Sequence, residues 1–243
     1  GTNFWYGAIL GSEGEGGDRE RLAKELDFMK AHGIDNLRVL IGGEGENGLL
    51  GKIEPNLQPK PGEYNDEVLA GLDYLLMELG KRDMTAVLYF NNAWEWSGGY
   101  TQYVAWANNE PVLVPRVDGW FSYNTFAGEF VRNERAKELY YNHVRYIVTR
   151  TNRYTGIKYI DDPAIFSWQI SNEPRAFSSK EQDNKEAFAE WITTSAKLIR
   201  ELDPNHMIST GSEGYYGCEW DMELCEKIHA IEEISYISCH VWP

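Results

Sequence analysis

The 243-residue sequence predicts an α/β fold, a (β/α)8 barrel of which about six β/α units lie in the chain. Three observations carry this. Apolar stretches of strand length alternate with amphipathic stretches of helix length, the pattern of a parallel sheet with crossover helices. No Pro/Ser-rich linker or low-complexity run divides the chain, so 1–243 reads as a single domain. Two strands also set a bulky apolar parity against a polar one. Phe166, Trp168 and Ile170 alternate with Ser167, Gln169, Ser171 and Glu173; Leu37, Val39 and Ile41 alternate with Asn36, Arg38 and Leu40. An open sheet covered on both faces reads as continuous apolar runs. A barrel covered only on its outside, with functional groups along its axis, reads as these two strands do.

Taken in order, a strand at 4–10 leads to a helix at 18–32, where Leu22, Leu26 and Met29 form one stripe and Gly33 stands in a C-cap position. A strand at 36–41, a helix at 66–82 and a strand at 84–92 follow, then a long loop at 93–127. A helix at 128–153 precedes the strand at 164–172. In the helix at 184–202, Phe188, Trp191, Ile192, Ala196, Ile199 and Leu202 recur at three- and four-residue steps. The last elements are a strand at 206–211, a helix at 221–230 and a strand at 234–241 with no helix after it. Eight units are expected, so the domain reads as incomplete at its C-terminal end. The start without Met, at a strand, reads as processed or trimmed.

A net charge of −15 with no basic run argues against nucleic acid or an anionic membrane as partner and suits a neutral substrate. No stretch approaches the ~18–20 apolar residues that span a bilayer. Nine tryptophans exceed ordinary packing needs, which suits stacking on a flat ligand and, equally, a large aromatic core. Cys218, Cys225 and Cys239 match no zinc spacing and are too few for a disulfide framework; buried free thiols are expected, with one disulfide left open. The histidines at 32, 143, 206, 229 and 240 show no HxH or HExxH spacing, so neither a metal nor another cofactor is expected, and His32 and His143 read as structural. Gly43–Gly48 matches GxGxxG, but two glutamates sit among its glycines. Pro55, Pro59 and Pro61 prevent the following segment from opening the helix that a dinucleotide site needs.

Ser171-Asn172-Glu173-Pro174 directly follows an apolar strand, which in a barrel puts Asn172 and Glu173 at the C-terminal rim. A carboxylic acid there can protonate a glycosidic oxygen if its pKa is raised, and the adjacent Asn can donate to a sugar hydroxyl. On local chemistry alone, a turn with a solvated Glu has a slight edge. Arg38 lies on the inward parity of its strand, where an unpaired charge is costly, so it calls for an acidic partner. Trp94, Trp96, Tyr100, Tyr103 and Trp106 crowd the long loop: some pin it to the barrel, and Trp94 and Trp96 are the candidates for sugar stacking. Glu213, after the strand at 206–211, reads equally as a hydroxyl ligand or a rim ion pair.

Asn172-Glu173-Pro174 at the end of a fourth barrel strand resembles the acid/base motif of glycoside hydrolase family 5. Arg38 resembles the family's nucleophile-holding arginine, and His240 with Trp242-Pro243 its His-x-Tyr element. Phe4-Trp5-Tyr6-Gly7, Asn91–Gly99 with Gln102-Tyr103, Asp161–Phe166 and Thr210–Gly214 are similar to the endo-β-1,4-mannanase branch. These elements run in order through the whole chain. The resemblance implies a retaining glycosidase with Glu173 as acid/base, Asn172, Arg38 and His240 holding substrate and nucleophile, and Glu213 tipped towards binding. It also implies mannan-type polysaccharide as partner and, from the size of that polymer, an extracellular or cell-envelope location. Trp242 stands where the family has tyrosine. The nucleophile ends a seventh strand, so none is expected within the chain, and a second chain or segment is expected to complete the barrel. A β-1,4-glucanase and a non-catalytic mannan-binding fragment are the alternative readings.

Overall fold

The computed structural model describes residues 1–241; Trp242 lies outside them. The elements in order are β1 (Thr2–Asn3), α1 (Gly7–Leu10), α2 (Arg19–Ala31), β2 (Asn36–Leu40), α3 (Asp66–Gly80), β3 (Thr85–Tyr89), α4 (Gly99–Asn108), α5 (Pro115–Asp118), α6 (Trp120–Gly128), α7 (Glu134–Val148), β4 (Ile165–Gln169), α8 (Lys185–Leu202), β5 (Met207–Ser209) and α9 (Met222–His229). The five strands form one parallel sheet in the order β1-β2-β3-β4-β5. Strictly sequential neighbours with no reversal of strand order make an arc of a (β/α)8 barrel; a doubly wound sheet would reverse direction at a switch point.

The two strand parities are physically separate. Leu37, Val39, Leu88, Trp168 and Ile208 are buried under the helices, while the opposite parity builds a polar axis. There Arg38 Nε donates to Gln169 Oε1 at 2.7 Å and Gln169 Nε2 to Ser209 Oγ at 2.9 Å. One layer down, Asn36 Nδ2 donates to Thr85 Oγ1 at 2.8 Å. Phe166, expected on the apolar parity with Trp168, is 42% exposed instead. The β3–β4 register shifts between Ala86 and Val87, so Ala86 pairs with Ile165 and Val87 with Ser167, and Phe166 is the extra residue of a bulge.

Side-chain caps start four of the helices: Asp18, Asn65, Asn133 and Asp221 each accept a backbone N–H of the first turn of α2, α3, α7 and α9. Three expectations are corrected. The strand at 4–10 is mostly α1, whose buried Gly7, Ala8 and Leu10 pack on α3. Backbone touches backbone there, since a Cβ on Gly11 would lie 2.4 Å from the Gly71 oxygen. The loop at 93–127 contains α4, α5 and α6. Its Tyr100 stacks on Phe130 at 4.3 Å and meets Trp191 edge-on at 5.5 Å, and Tyr140 closes the cluster against Trp191 at 5.4 Å. Finally, 234–241 does not extend the sheet. It runs past β5 with Ser235 N–H on the Ile208 oxygen at 2.8 Å and Ser238 Oγ on the Ser212 oxygen at 3.0 Å, too few bonds for a ladder.

Of the three free thiols only Cys218 is buried, and Cys239 is exposed. His143 is buried, with Nε2 2.9 Å from the Ile41 oxygen and Nδ1 3.2 Å from the Tyr64 hydroxyl; burial pushes its pKa down to about 4. His32 is exposed. Among the described residues, no helix is long and apolar enough to cross a membrane, and no cluster of three His, Cys, Asp or Glu is placed to hold a metal.

Candidate active site

Glu173 sits four residues past β4 with φ of 51°, a left-handed conformation uncommon for non-glycine residues that Asp83, Asn109, Phe177, Glu219 and Trp220 also adopt. Its N–H donates to the Gly211 oxygen at 3.0 Å, and Asn172 N–H to the Asn91 oxygen at 2.8 Å, so the loops after β3 and β5 hold the turn from both sides. Gly211 allows this approach: its φ is 78°, and a Cβ there would fall 1.8 Å from the Ser171 oxygen.

Side chains fix the carboxyl just as closely. Trp94 Nε1 donates to Glu173 Oε2 at 2.6 Å, and His240 Nδ1 lies 2.6 Å from Oε1. Burial raises the Glu173 pKa, but the His240 and Trp94 hydrogen bonds, with the charges of His240 and Arg175, outweigh it and hold the group below the ordinary glutamate value. The expected condition for a general acid, a raised pKa, is therefore not met by these residues alone. Asn172 Nδ2 donates to Asn92 Oδ1 at 2.9 Å, which leaves its Oδ1 and second amide hydrogen for a ligand.

These groups share one cavity of about 420 Å³, lined by Arg38, Asn172, Glu173, His240, Trp94 and Trp96 together with Asn3, Tyr89 and Val241. The cavity thus gathers six predicted residues from four chain segments. Arg38 stacks its guanidinium 4.2 Å over the Tyr89 ring. Among the described residues it forms no ion pair, and its buried Nη2 has no hydrogen-bond partner. Glu213 stands behind the wall, with Oε2 2.6 Å from Arg175 Nη2. Arg175 in turn lies over Trp94 at 5.0 Å and Tyr216 at 4.6 Å, so one face of the Trp94 indole is covered.

Tyr89, Asn3 and Arg175 were not singled out in the sequence. Tyr89 pairs with Gln169 across β3–β4, and Gln169 stood on the polar parity, so strand registration would have found it. Asn3 pairs with Arg38 in the same way. Arg175 carries no local signal beyond its place two residues after Glu173.

A sequence model of the glycoside hydrolase family 5 beta-mannosidase-like group matches residues 1–243. The chain is 31% identical over 217 residues to mannan endo-1,4-beta-mannosidase 1 of Oryza sativa subsp. japonica, covering 89% of this chain and 45% of the rice protein. It is 35% identical over 161 residues to mannan endo-1,4-beta-mannosidase 7 of Arabidopsis thaliana, covering 66% and 34%. It superposes on the glycoside hydrolase family 5 mannosidase from Rhizomucor miehei with a TM-score of 0.87 and 34% identity, covering 100% of this chain and 57% of that one. The endo-beta-1,4-mannanase from Thermotoga petrophila, at 22% identity and a TM-score of 0.75, shares the fold. The chain thus spans between 34% and 57% of the length of the two plant proteins and the Rhizomucor mannosidase. A match that runs from the first residue to the last, on a parallel-barrel arc that carries the expected carboxyl at its rim, places the chain in glycoside hydrolase family 5, in the beta-mannosidase-like group.

Proposed function

We propose that the protein is a retaining endo-β-1,4-mannanase and that residues 1–243 belong to its single catalytic barrel domain. Glu173 is its acid/base, and the nucleophilic carboxylate comes from a segment outside these residues. The observation that carries this reading is Arg38: a half-buried side chain whose buried Nη2 has no partner among the described residues, in the same cavity as Glu173. A carboxylate against that nitrogen would resolve the cost of the unpaired charge. It would also complete the pair that a retaining glycosidase holds roughly 5–5.5 Å apart. Its negative charge would push Glu173 back up towards the protonated state that a general acid needs. Glu173 then protonates the leaving oxygen as the nucleophile attacks the sugar carbon, and later takes a proton from the water that hydrolyses the glycosyl-enzyme. Asn172 offers its free amide hydrogen to a sugar hydroxyl, His240 orients Glu173, and Trp96 gives an aromatic wall. Glu213 acts through Arg175, holding it over Trp94.

The substrate class follows the relatives' names, which specify mannan. A β-1,4-glucan differs at one hydroxyl per sugar and is the competing polymer. The cleavage mode has a second reading. The matching family group is beta-mannosidase-like, and a Rhizomucor mannosidase mutant of TM-score 0.88 was solved with mannosyl-fructose, which favours action at chain ends. A polymeric substrate supports a location outside the cell or in its envelope.

The test uses the complete enzyme. Glu173→Ala is expected to lose far more activity on mannan than on an activated aryl β-mannoside, whose leaving group needs no proton, and azide is expected to restore part of the aryl activity. Equal losses without azide rescue reject the acid/base role. Early release of mixed oligomers from mannan indicates endo action, and mannose alone indicates exo action.

A further inference from the structure

Glu44, just beyond β2, is fully buried and takes no part in lining the cavity. Its Oε2 accepts the N–H of Gly99 at 3.0 Å, and its Oε1 the Tyr103 hydroxyl at 3.3 Å. Gly99 opens α4, and the residue before it, Gly98, has no side chain with which to cap. Glu44 therefore caps this helix from a strand end more than fifty positions away, where a negative charge also meets the positive end of the helix dipole. The Glu44 backbone grips the same turn: its N–H donates to the Ser97 oxygen at 2.8 Å. Gly98, with φ of 98°, lies flat on the Glu44 carbonyl, and a Cβ there would come within 2.2 Å of that oxygen.

Glu44 is itself firmly placed. Gln58 N–H donates to the Gly43 oxygen at 2.8 Å, and Gly45 N–H to the Gln58 oxygen at 3.0 Å. Lys52 is anchored on Gln102 Oε1 at 2.6 Å rather than on the carboxylate. Burial pushes the Glu44 pKa up to about 7, against the Gly99 and Gly43 N–H groups, the Lys52 charge and the Tyr103 hydroxyl. Tyr64 and Tyr140 also face it, and Glu95 faces Lys52.

The turn gripped in this way is Trp94–Gly98. It is also held by Asn92, whose Nδ2 donates to Ser97 Oγ at 3.1 Å, and by Ile53, whose N–H donates to the Trp96 oxygen at 2.8 Å. At its start stands Trp94, with its indole Nε1–H on Glu173 Oε2 and its backbone N–H on Asn92 Oδ1. The path from a buried carboxyl outside the cavity to the carboxyl inside it is therefore one short turn, and a misplacement of about 1 Å at a reacting group can cost on the order of a hundredfold in rate.

We infer that Glu44 is a positioning residue for Glu173: by clamping the Trp94–Gly98 turn at the start of α4, it sets the direction of the Trp94 N–H that aims the carboxyl. The inference rests on the acid/base reading of Glu173. In the complete enzyme, Glu44→Ala is expected to lower kcat/KM for mannotetraose roughly tenfold, a share of the ~10²–10⁴-fold that a general acid supplies, and to leave dinitrophenyl β-mannobioside hydrolysis nearly unchanged. The basic limb of its pH profile is expected to move to higher pH as the Trp94 hydrogen bond weakens. Glu44→Gln, which still offers Gly99 an acceptor, is expected to restore both. In a Trp94→Phe background, Glu44→Ala is expected to add no further loss, because the two changes act through one contact. Equal loss on both substrates with an unmoved pH profile overturns the inference and leaves Glu44 a packing residue. Glu173→Ala in the same assay separates the two levels of failure: if it too loses equally on both substrates, the acid/base reading has failed. If it discriminates between the substrates and Glu44→Ala does not, only the positioning claim has failed. Should Glu44→Ala not fold, Gly98→Ala lifts the same turn off Glu44 and is expected to discriminate between the substrates in the same way; equal loss there is equally decisive.

Discussion

The two short hydrogen bonds on Glu173 differ in kind. His240 brings a ring that can carry charge, whereas the Trp94 indole is a neutral donor with no other state. Both stabilise the ionised carboxyl and so lower its pKa against the opposing effect of burial. Trp94→Phe removes one donor and keeps most of the apolar wall. The Glu173 pKa is then expected to rise, and because an acid works only while protonated, the basic limb of kcat/KM should move to higher pH. A pH–rate profile on an unactivated mannooligosaccharide checks this; a limb that stays put or moves to lower pH contradicts it. The indole face towards Arg175 is covered, so that face is closed to a stacking ligand.

Two elements next to the site lend themselves to stability measurements. In the turn after β5, Gly211→Ala would force a left-handed φ on alanine and drive its Cβ into the Ser171 oxygen. A loss of about 2–4 kcal/mol is expected, read as a fall in the denaturant midpoint, together with lower activity because Glu173 hangs on that turn. Where α8 runs into β5, buried Asp203 accepts Trp168 Nε1 at 2.6 Å, His206 Nδ1 at 2.7 Å and the backbone N–H groups of Asn205 and His206. Burial would raise its pKa, but these bonds outweigh it and hold it at about 2. The folded value lies below the unfolded one, so this stabilisation is present above about pH 4 and is lost as pH falls towards 2. His206 is raised despite burial, chiefly by its bond to Asp203, so its share is present below its ordinary value of 6.5 and fades as pH rises through the raised one. Asp203→Asn is expected to be most destabilising between these limits, with the deficit in urea midpoint closing near pH 2. At this scale the sequence was legible wherever the signal was local. The apolar stripe of α8, the Leu22, Leu26 and Met29 stripe of α2 and the polar parity of β4 are all written within a few residues. The start of α4 was not legible, because its cap is Glu44, nor was the fate of 4–10, since an apolar run without a period is helix or strand according to what it packs on. Glu173 and Arg38 could be read from strand parity; Arg175 could not, because its role is set by Glu213, thirty-eight positions on.

Seen whole, the sheet is an arc with two ends. Among the described residues β1 has only β2 as a strand neighbour and β5 only β4, and both ends are flanked by apolar surface. A groove of about 280 Å³ borders β1, where Phe4, Phe28 and Met29 share the lining with Lys24 and Glu25; Phe28 is 64% exposed, and Ile237 is 66% exposed beyond β5. Unpaired strand edges beside apolar surface invite association, which a net charge of −15 opposes only in part. Expressed by itself, the 243-residue chain is expected to self-associate and to lack turnover. On the proposed reading, in which the nucleophile lies outside residues 1–243, a segment supplying further barrel strands, covalently or as a separate chain, is expected to give a monomeric barrel, a cooperative melt and activity together. Light scattering and calorimetry decide this, and a monodisperse, sharply melting, active 243-residue chain contradicts it. The aromatic cluster of Tyr100, Phe130, Tyr140 and Trp191 bears on the same experiment in another way. Its rings come from α4, the turn before α7, α7 itself and α8, and they meet at fixed angles out of solvent. Such a cluster is an optical gauge: its near-ultraviolet circular dichroism depends on fixed side-chain packing and vanishes when the helices persist but the packing loosens. The part of that signal that Tyr100→Leu removes therefore reports the docking of α4 onto α7 and α8, without label or substrate.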